Sequence, residues 1–234
     1  MNLVDYIILG IIGLSVLWGF YRGFVQSVLS MGACLLSFAG SFFLYPHLAK
    51  LIQGDESLIV NLIHYTDASS RIGDLELALK NVTELGDQIN SILTNVGLPA
   101  PLSDILKFNL ENGVFSGQHV NTVADYVNQT IVNVSVNILS FLVCFAALFI
   151  VASILINMIR SVFRFPLLKQ FDWLAGGVFG ALRGVILCYA LFVLAPLVLT
   201  VIPFEGLDTL LKESTLAQIF GNGNLILSIM NRKL

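Results

Sequence analysis

Hydrophobic residues in this chain fall in long runs that almost no charge interrupts, separated by segments of different character. Residues 3–20 carry one charge, Asp5, and residues 24–44 carry none. About 20 apolar residues at 1.5 Å of rise each cross a hydrocarbon core of ~30 Å, so each run predicts a transmembrane helix. Only Tyr21-Arg22-Gly23 separates the two, which predicts an antiparallel hairpin. A third run, 136–159, is bounded by Arg160. The fourth, at about 174–202, is longer than a bilayer requires and contains Arg183. Two readings compete for it. In one, the span proper is 185–202, the chain breaks near 183–184, Arg183 sits at the interface, and 171–182 is a Gly-rich interfacial or re-entrant piece. In the other, a tilted helix carries Arg183 into the membrane. The first is favoured, because a charge at mid-bilayer costs a few kcal/mol or more and an arginine near a helix end can snorkel out.

Residues 46–135 break the pattern. Ten acids face four bases there, a net charge of -6. Asp74 to Lys80, followed by Val82, Leu85, Ile89 and Leu93, has helical spacing. Gly97-Leu-Pro-Ala-Pro punctuates, Ser103-Asp104-Ile-Leu-Lys starts a capped short helix, and 124–135 leads into the third span. The segment therefore predicts a helical insertion. The tail, 204–234, adds an amphipathic stretch around 207–211. The fold class expected is all-α: a polytopic membrane protein with a 1–45 hairpin, a 46–135 insertion, a 136–203 second pair of spans and a C-terminal tail.

Composition agrees with the pattern: 56% of the 234 residues are hydrophobic and 12% charged, with a mean hydropathy of +0.86. Soluble domains carry about a quarter charged residues. The first run lacks a basic n-region and an Ala-x-Ala site, so it reads as a retained helix, not a cleaved signal. No lipidation motif is present. Basic residues favour short cytoplasmic loops, and the short connections hold Arg22, Arg160, Arg164 and Lys169. The acidic insertion and both termini are then expected on the extracytoplasmic side, against which Lys212, Arg232 and Lys233 argue weakly.

Small residues mark where helices approach closely in lipid. Gly23, Ser27, Ser30, Cys34, Ser37 and Ser41 form such a stripe on the second run, and Gly176, Gly180, Gly184 and Cys188 recur at a strict step of four on the fourth. Asn133, Asn137, Ser140 and Cys144 share one face of the third; Ser153, Asn157 and Arg160 lie nearly opposite. Helix packing explains the Ser and Gly stripes most simply; Asn137 and Asn157 are candidates for a polar path. Asp5 either pairs with an arginine across the bundle or meets water. Arg183-Gly184 could bind a lipid phosphate or anchor at an interface.

Reactive chemistry is not signalled. His47, His64 and His119 lack metal-ligand partners at helical or loop spacing, and Cys34, Cys144 and Cys188 read as apolar packing residues. No HExxH, GxSxG, phosphate-loop or dinucleotide motif occurs, and there is no basic patch for nucleic acid. The expectation is a protein without catalytic, cofactor or metal residues.

Asp5-Tyr6 … Tyr21-Arg22-Gly23-Phe24-Val25, with the later Asp172-Trp-Leu-Ala-Gly176-Gly-Val-Phe-Gly180-Ala-Leu-Arg183-Gly184, resembles the colicin V production protein family, in a longer version found in Gram-positive bacteria. Arg22, Gly23, Gly176, Gly180, Arg183 and Gly184 carry the pattern. The resemblance implies a bacterial plasma-membrane protein, not an enzyme, associated with toxin production or export and with envelope homeostasis. Partners expected are the bilayer and either further copies or another membrane protein. A small-solute or ion channel or transporter is the alternative.

Overall fold

The structure, a computed structural model, describes residues 2–66, 71–99, 102–115, 120–162, 169–201 and 205–221. Arg164 with Phe165-Pro166, His119 and the Arg232-Lys233 terminus lie outside the described residues. The helices, in order, are α1 (Leu3–Arg22), α2 (Phe24–Gln53), α3 (Glu56–Thr66), α4 (Leu75–Leu79), α5 (Ile89–Val96), α6 (Leu102–Asn112), α7 (Val123–Val162), α8 (Lys169–Phe192), α9 (Ala195–Val201), α10 (Glu205–Glu213) and α11 (Thr215–Gly221). Among the described residues there is no β-strand, only one isolated bridge, Asn81 with Thr122. Four stretches are long and apolar enough to cross a membrane: Leu3–Arg22, Phe24–Gln53, Val123–Met158 and Asp172–Thr200.

Two boundaries differ from the sequence expectation. The second helix does not end at 44: α2 continues through Pro46 to Gln53. Proline removes one backbone donor, and packing on the far side carries the helix past it, where Ala49 joins Val132 and Val136 in a buried cluster with Ile59 and Ile63. The fourth segment is not broken near 183–184. α8 runs uninterrupted through Arg183-Gly184, and the chain turns at Val193–Leu194. There Leu194 N–H donates to the Leu191 carbonyl at 3.0 Å. Pro196 then sits in the first turn of α9, where a missing N–H costs nothing. The glycines of α8 keep helical backbone and act as the close-packing surface that their step of four predicts.

The chain forms two compact units. The described part of the first comprises 2–46, 140–162, 169–195 and 205–221. Its interior holds an aromatic cluster, with Phe38 and Phe42 against Phe141 at 5.6 and 5.1 Å between centroids. The serine stripe of α2 points inward: Ser27, Ser30, Cys34, Ser37 and Ser41 are all buried, Cys34 against Phe145 and Ala190. Outward face Leu14, Leu36, Ile150, Ile154, Val178 and Leu182, all exposed. Apolar surface of this extent needs lipid around it.

The second unit takes in 47–139 with 196–201. Ile72, Ile92, Leu102, Leu106, Val123 and Ile131 are buried in it. The helical spacing across residues 74–93 does not give one helix. Asp74 caps α4 by accepting from the Glu76 and Leu77 amides, but Asn81 accepts from Thr83 N–H and opens a 3-10 turn. Val82 N–H goes to the Asn121 carbonyl and Val123 N–H to the Lys80 carbonyl, both at 3.0 Å. These cross-chain bonds replace the helical ones. Gly97 ends α5 in the left-handed region, φ 59°, as its glycine suggests.

Candidate functional site in the α1–α8 pair

Within the first unit, α1 and α8 run antiparallel with their backbones almost in contact. Gly19 faces Gly176 and Gly180, Ser15 faces Gly180 and Gly184, and Ile12 faces Gly184. A Cβ built at Gly180 would lie 2.5 Å from the Ser15 carbonyl oxygen, and one at Gly176 would lie 2.5 Å from that of Gly19. Only glycine fits at such positions. The step-of-four spacing on α8 is therefore met by small residues on α1, and Ile8 closes the row against Cys188. Such close approach gains dispersion that lipid, as apolar as the side chains, cannot supply otherwise.

Asp172 locks the end of this pair. Its carboxylate accepts from the Phe24 N–H at 2.8 Å, one of the amides that the start of α2 leaves without a helical partner. Gly23, between α1 and α2, has φ 78°, which favours glycine, and a Cβ there would run into the Asp172 carboxylate. Arg22 lies over the Trp18 ring, its guanidinium carbon 4.9 Å from the centroid.

Arg183 leaves α8 between these contacts and is only 9% exposed. Its Nε and Nη2 donate to Ser15 Oγ at 3.1 and 3.0 Å, and its Nη1 donates to Ser30 Oγ at 2.9 Å. Ser15 in turn donates to the Gly180 carbonyl at 2.7 Å. That leaves the serine lone pairs for the guanidinium. Ser15 lies seven residues before the end of α1, so the charge is held about 10 Å inside that helix end. The interfacial reading of Arg183 needed a helix break that is not there. Arg183, Arg22, Ser15, Ser30 and Ser153 contribute the polar lining of an open groove of about 450 Å³. Its other walls are apolar, among them Ile11, Leu14, Phe149 and Leu187.

Of the residues singled out by sequence, Arg22, Gly23, Gly176, Gly180, Arg183 and Gly184 converge on this helix pair. Asn157 stays on the exposed face of α7. Asn137 is buried, but in the second unit. Among the described residues no arginine pairs with Asp5, and its carboxylate is not on the surface. It is 1% exposed and accepts from Ser214 Oγ at 2.5 Å, the Leu216 N–H at 3.1 Å and the Asn2 N–H at 2.8 Å. Ser214 caps α11 by accepting from the Ala217 N–H at 2.9 Å. Asn2 also donates to the Leu210 carbonyl at 2.5 Å. Sequence reasoning missed Ser15, Ser30 and Asp172 as site residues. Asp172 was visible beside the glycine run, whereas single serines inside apolar runs carry no signal of their partner.

The small-residue stripes of α2 and α8 are occupied within the chain, as helix packing predicts. The three thiols are free and buried.

The Colicin V production protein family matches residues 4–72 and 113–224. The stretch left out, 73–112, is narrower than the insertion expected at 46–135. Among curated proteins, the chain is similar to the colicin V production protein homolog of Haemophilus influenzae, 41% identical over 58 residues, or 25% of this chain and 36% of that protein. The chain thus matches about a third of the length of that curated relative. No solved structure matches. The family match runs through both Arg-Gly corners, the apolar helices and α10–α11, and on that extent the chain belongs to the colicin V production protein family.

Proposed function

We propose that this chain is a non-enzymatic accessory protein of the bacterial plasma membrane that supports peptide-toxin production or export and envelope homeostasis. The observation that carries the reading is the convergence of the six pattern-bearing residues on the α1–α8 pair, a rigid interface bordered by a cationic groove. It has the character of a binding element, not of a reaction centre. The insertion and both termini would lie outside the cell, because Arg22, Arg160, Arg164 and Lys169 gather at the short connections between spans. Self-association or a membrane-protein partner would use the outward apolar faces of α7 and α8, since the small-residue stripes are enclosed.

The test is complementation in a toxin-producing strain lacking its own copy. Secreted toxin and resistance to envelope stress should return with the wild-type chain and with Asn157→Ala, and should not return with Gly180→Leu. Full complementation by Gly180→Leu would remove the proposal. A second reading, a small-solute or ion channel or transporter, draws on Arg183 being held inside a span among hydroxyls. Flux into liposomes that Arg183→Ala abolishes would favour it, and absence of flux across a broad solute panel would dismiss it.

A further inference from the structure

We propose that the groove beside Arg183 is a binding site for the phosphate headgroup of an anionic phospholipid, with an acyl chain along its apolar wall. The inference deepens the reading of this groove as a binding element and rests on it.

Three features of the groove lead to this ligand. The first is charge. Arg22 and Arg183 line one groove, and among the described residues no acidic side chain does. A guanidinium held in a low-dielectric wall attracts an anion far more strongly than one in water. The second is unused donor capacity. A guanidinium offers five N–H donors, and three of the bonds Arg183 can make are taken by Ser15 and Ser30. Among the described residues no carboxylate pairs with it. Planar N–H pairs suit the oxygens of a phosphate, and the Ser153 hydroxyl on the same lining adds a further donor. The third is amphipathy. Leu14, Phe149 and Leu187 supply apolar wall beside the polar lining, and Leu14 and Trp18 are exposed, so the groove opens on the apolar surface of the unit. A free anion would use the polar end and leave this wall without an occupant; a lipid fits both.

The test uses Trp18, which lines the groove. In a Trp173→Phe background Trp18 is the sole tryptophan, and the full chain is reconstituted into phosphatidylcholine vesicles carrying brominated phosphatidylglycerol or brominated phosphatidylcholine. Preference is read as the relative quenching of Trp18. The anionic lipid should associate roughly tenfold more tightly, the scale expected for one or two arginines at a headgroup. Arg183→Gln should bring the ratio close to one, while Lys107→Gln, an exposed lysine of the other unit, leaves it unchanged. Should Arg183→Gln fail to fold by circular dichroism, Arg22→Gln at the helix end decides, with the ratio reduced several-fold. Equal quenching by the two lipids in the wild-type background, or a preference that survives both arginine substitutions, overturns the proposal. Millimolar inorganic phosphate that displaces the lipid without chain-length dependence overturns the lipid and assigns the groove to a free anion. Toxin output is not read, so failure here leaves the accessory role standing, and failure of complementation leaves this site standing.

Discussion

Replacing Gly180 with alanine puts one methyl group where α1 and α8 meet. The new Cβ would lie 2.5 Å from the Ser15 carbonyl oxygen and 3.2 Å from the Gly19 Cα, while ordinary contact begins at 3.4 Å. The helices must therefore part locally by about 0.9 Å, which forfeits part of the dispersion along the row. The Ser15 hydroxyl, now 2.7 Å from the Gly180 carbonyl, would move to about 3.6 Å, too far for a hydrogen bond. Overpacking of this kind costs about 1–3 kcal/mol, and the lost interhelical bond adds about 0.6 kcal/mol on the membrane average. Alanine's better helix propensity returns at most about 1 kcal/mol. The expected net loss is about 1–3 kcal/mol, measured by unfolding in mixed micelles with increasing SDS. Gly13→Ala on α1 is the control, since a Cβ there meets nothing within 4 Å; it should be neutral or slightly stabilising. If Gly180→Ala unfolds at the same SDS fraction as Gly13→Ala, the close approach is not a stabilising contact and the reasoning fails.

Asp172→Ala removes the acceptor for the Phe24 amide and should cost about 0.5–2 kcal/mol in the same titration, as other helix caps do; an unchanged midpoint would mean that another group serves that amide. Ser214→Ala takes a hydrogen-bond donor from the buried Asp5 carboxylate and the cap from α11. Residues 205–221 should then be cut several-fold faster by limited proteolysis, with α1–α8 intact; identical cleavage rates would show that apolar packing alone holds the tail. Gln26 is buried in α2 and its amide oxygen and nitrogen find no partner among the described residues. Gln26→Leu should stabilise by about 1–3 kcal/mol, and a loss of stability would reveal a partner for that amide.

The span pattern was legible because lipid imposes it: every crossing helix must carry its apolar run in plain view. Helix ends were less legible. The apolar run of the second span ends at 44, but packing around Ala49 carries its helix on to Gln53, and the glycines near Arg183 suit a break as well as the close packing that they in fact make. Spacing alone does not separate those two uses of glycine; the difference lies in the backbone that faces them. The six residues at the α1–α8 pair were found from their sequence pattern. Ser15, Ser30 and Ser214 were not, because their roles exist only through residues 153, 168 and 209 positions away. The Asn81 interruption was hidden for the same reason, its neighbours at Asn121 and Val123 being distant in sequence.

The clasp that Ser214 and Leu216 make on Asp5 bears on biogenesis. Asp5 leaves the ribosome about two hundred residues before Ser214 and Leu216, the two groups that donate to it from the far end of the unit. Through most of synthesis the leading helix waits in the bilayer with a carboxylate that nothing downstream yet holds. A chain halted before the clasp closes would keep that carboxylate with its local Asn2 bond alone, and the start of α1 would stay unattached to the tail.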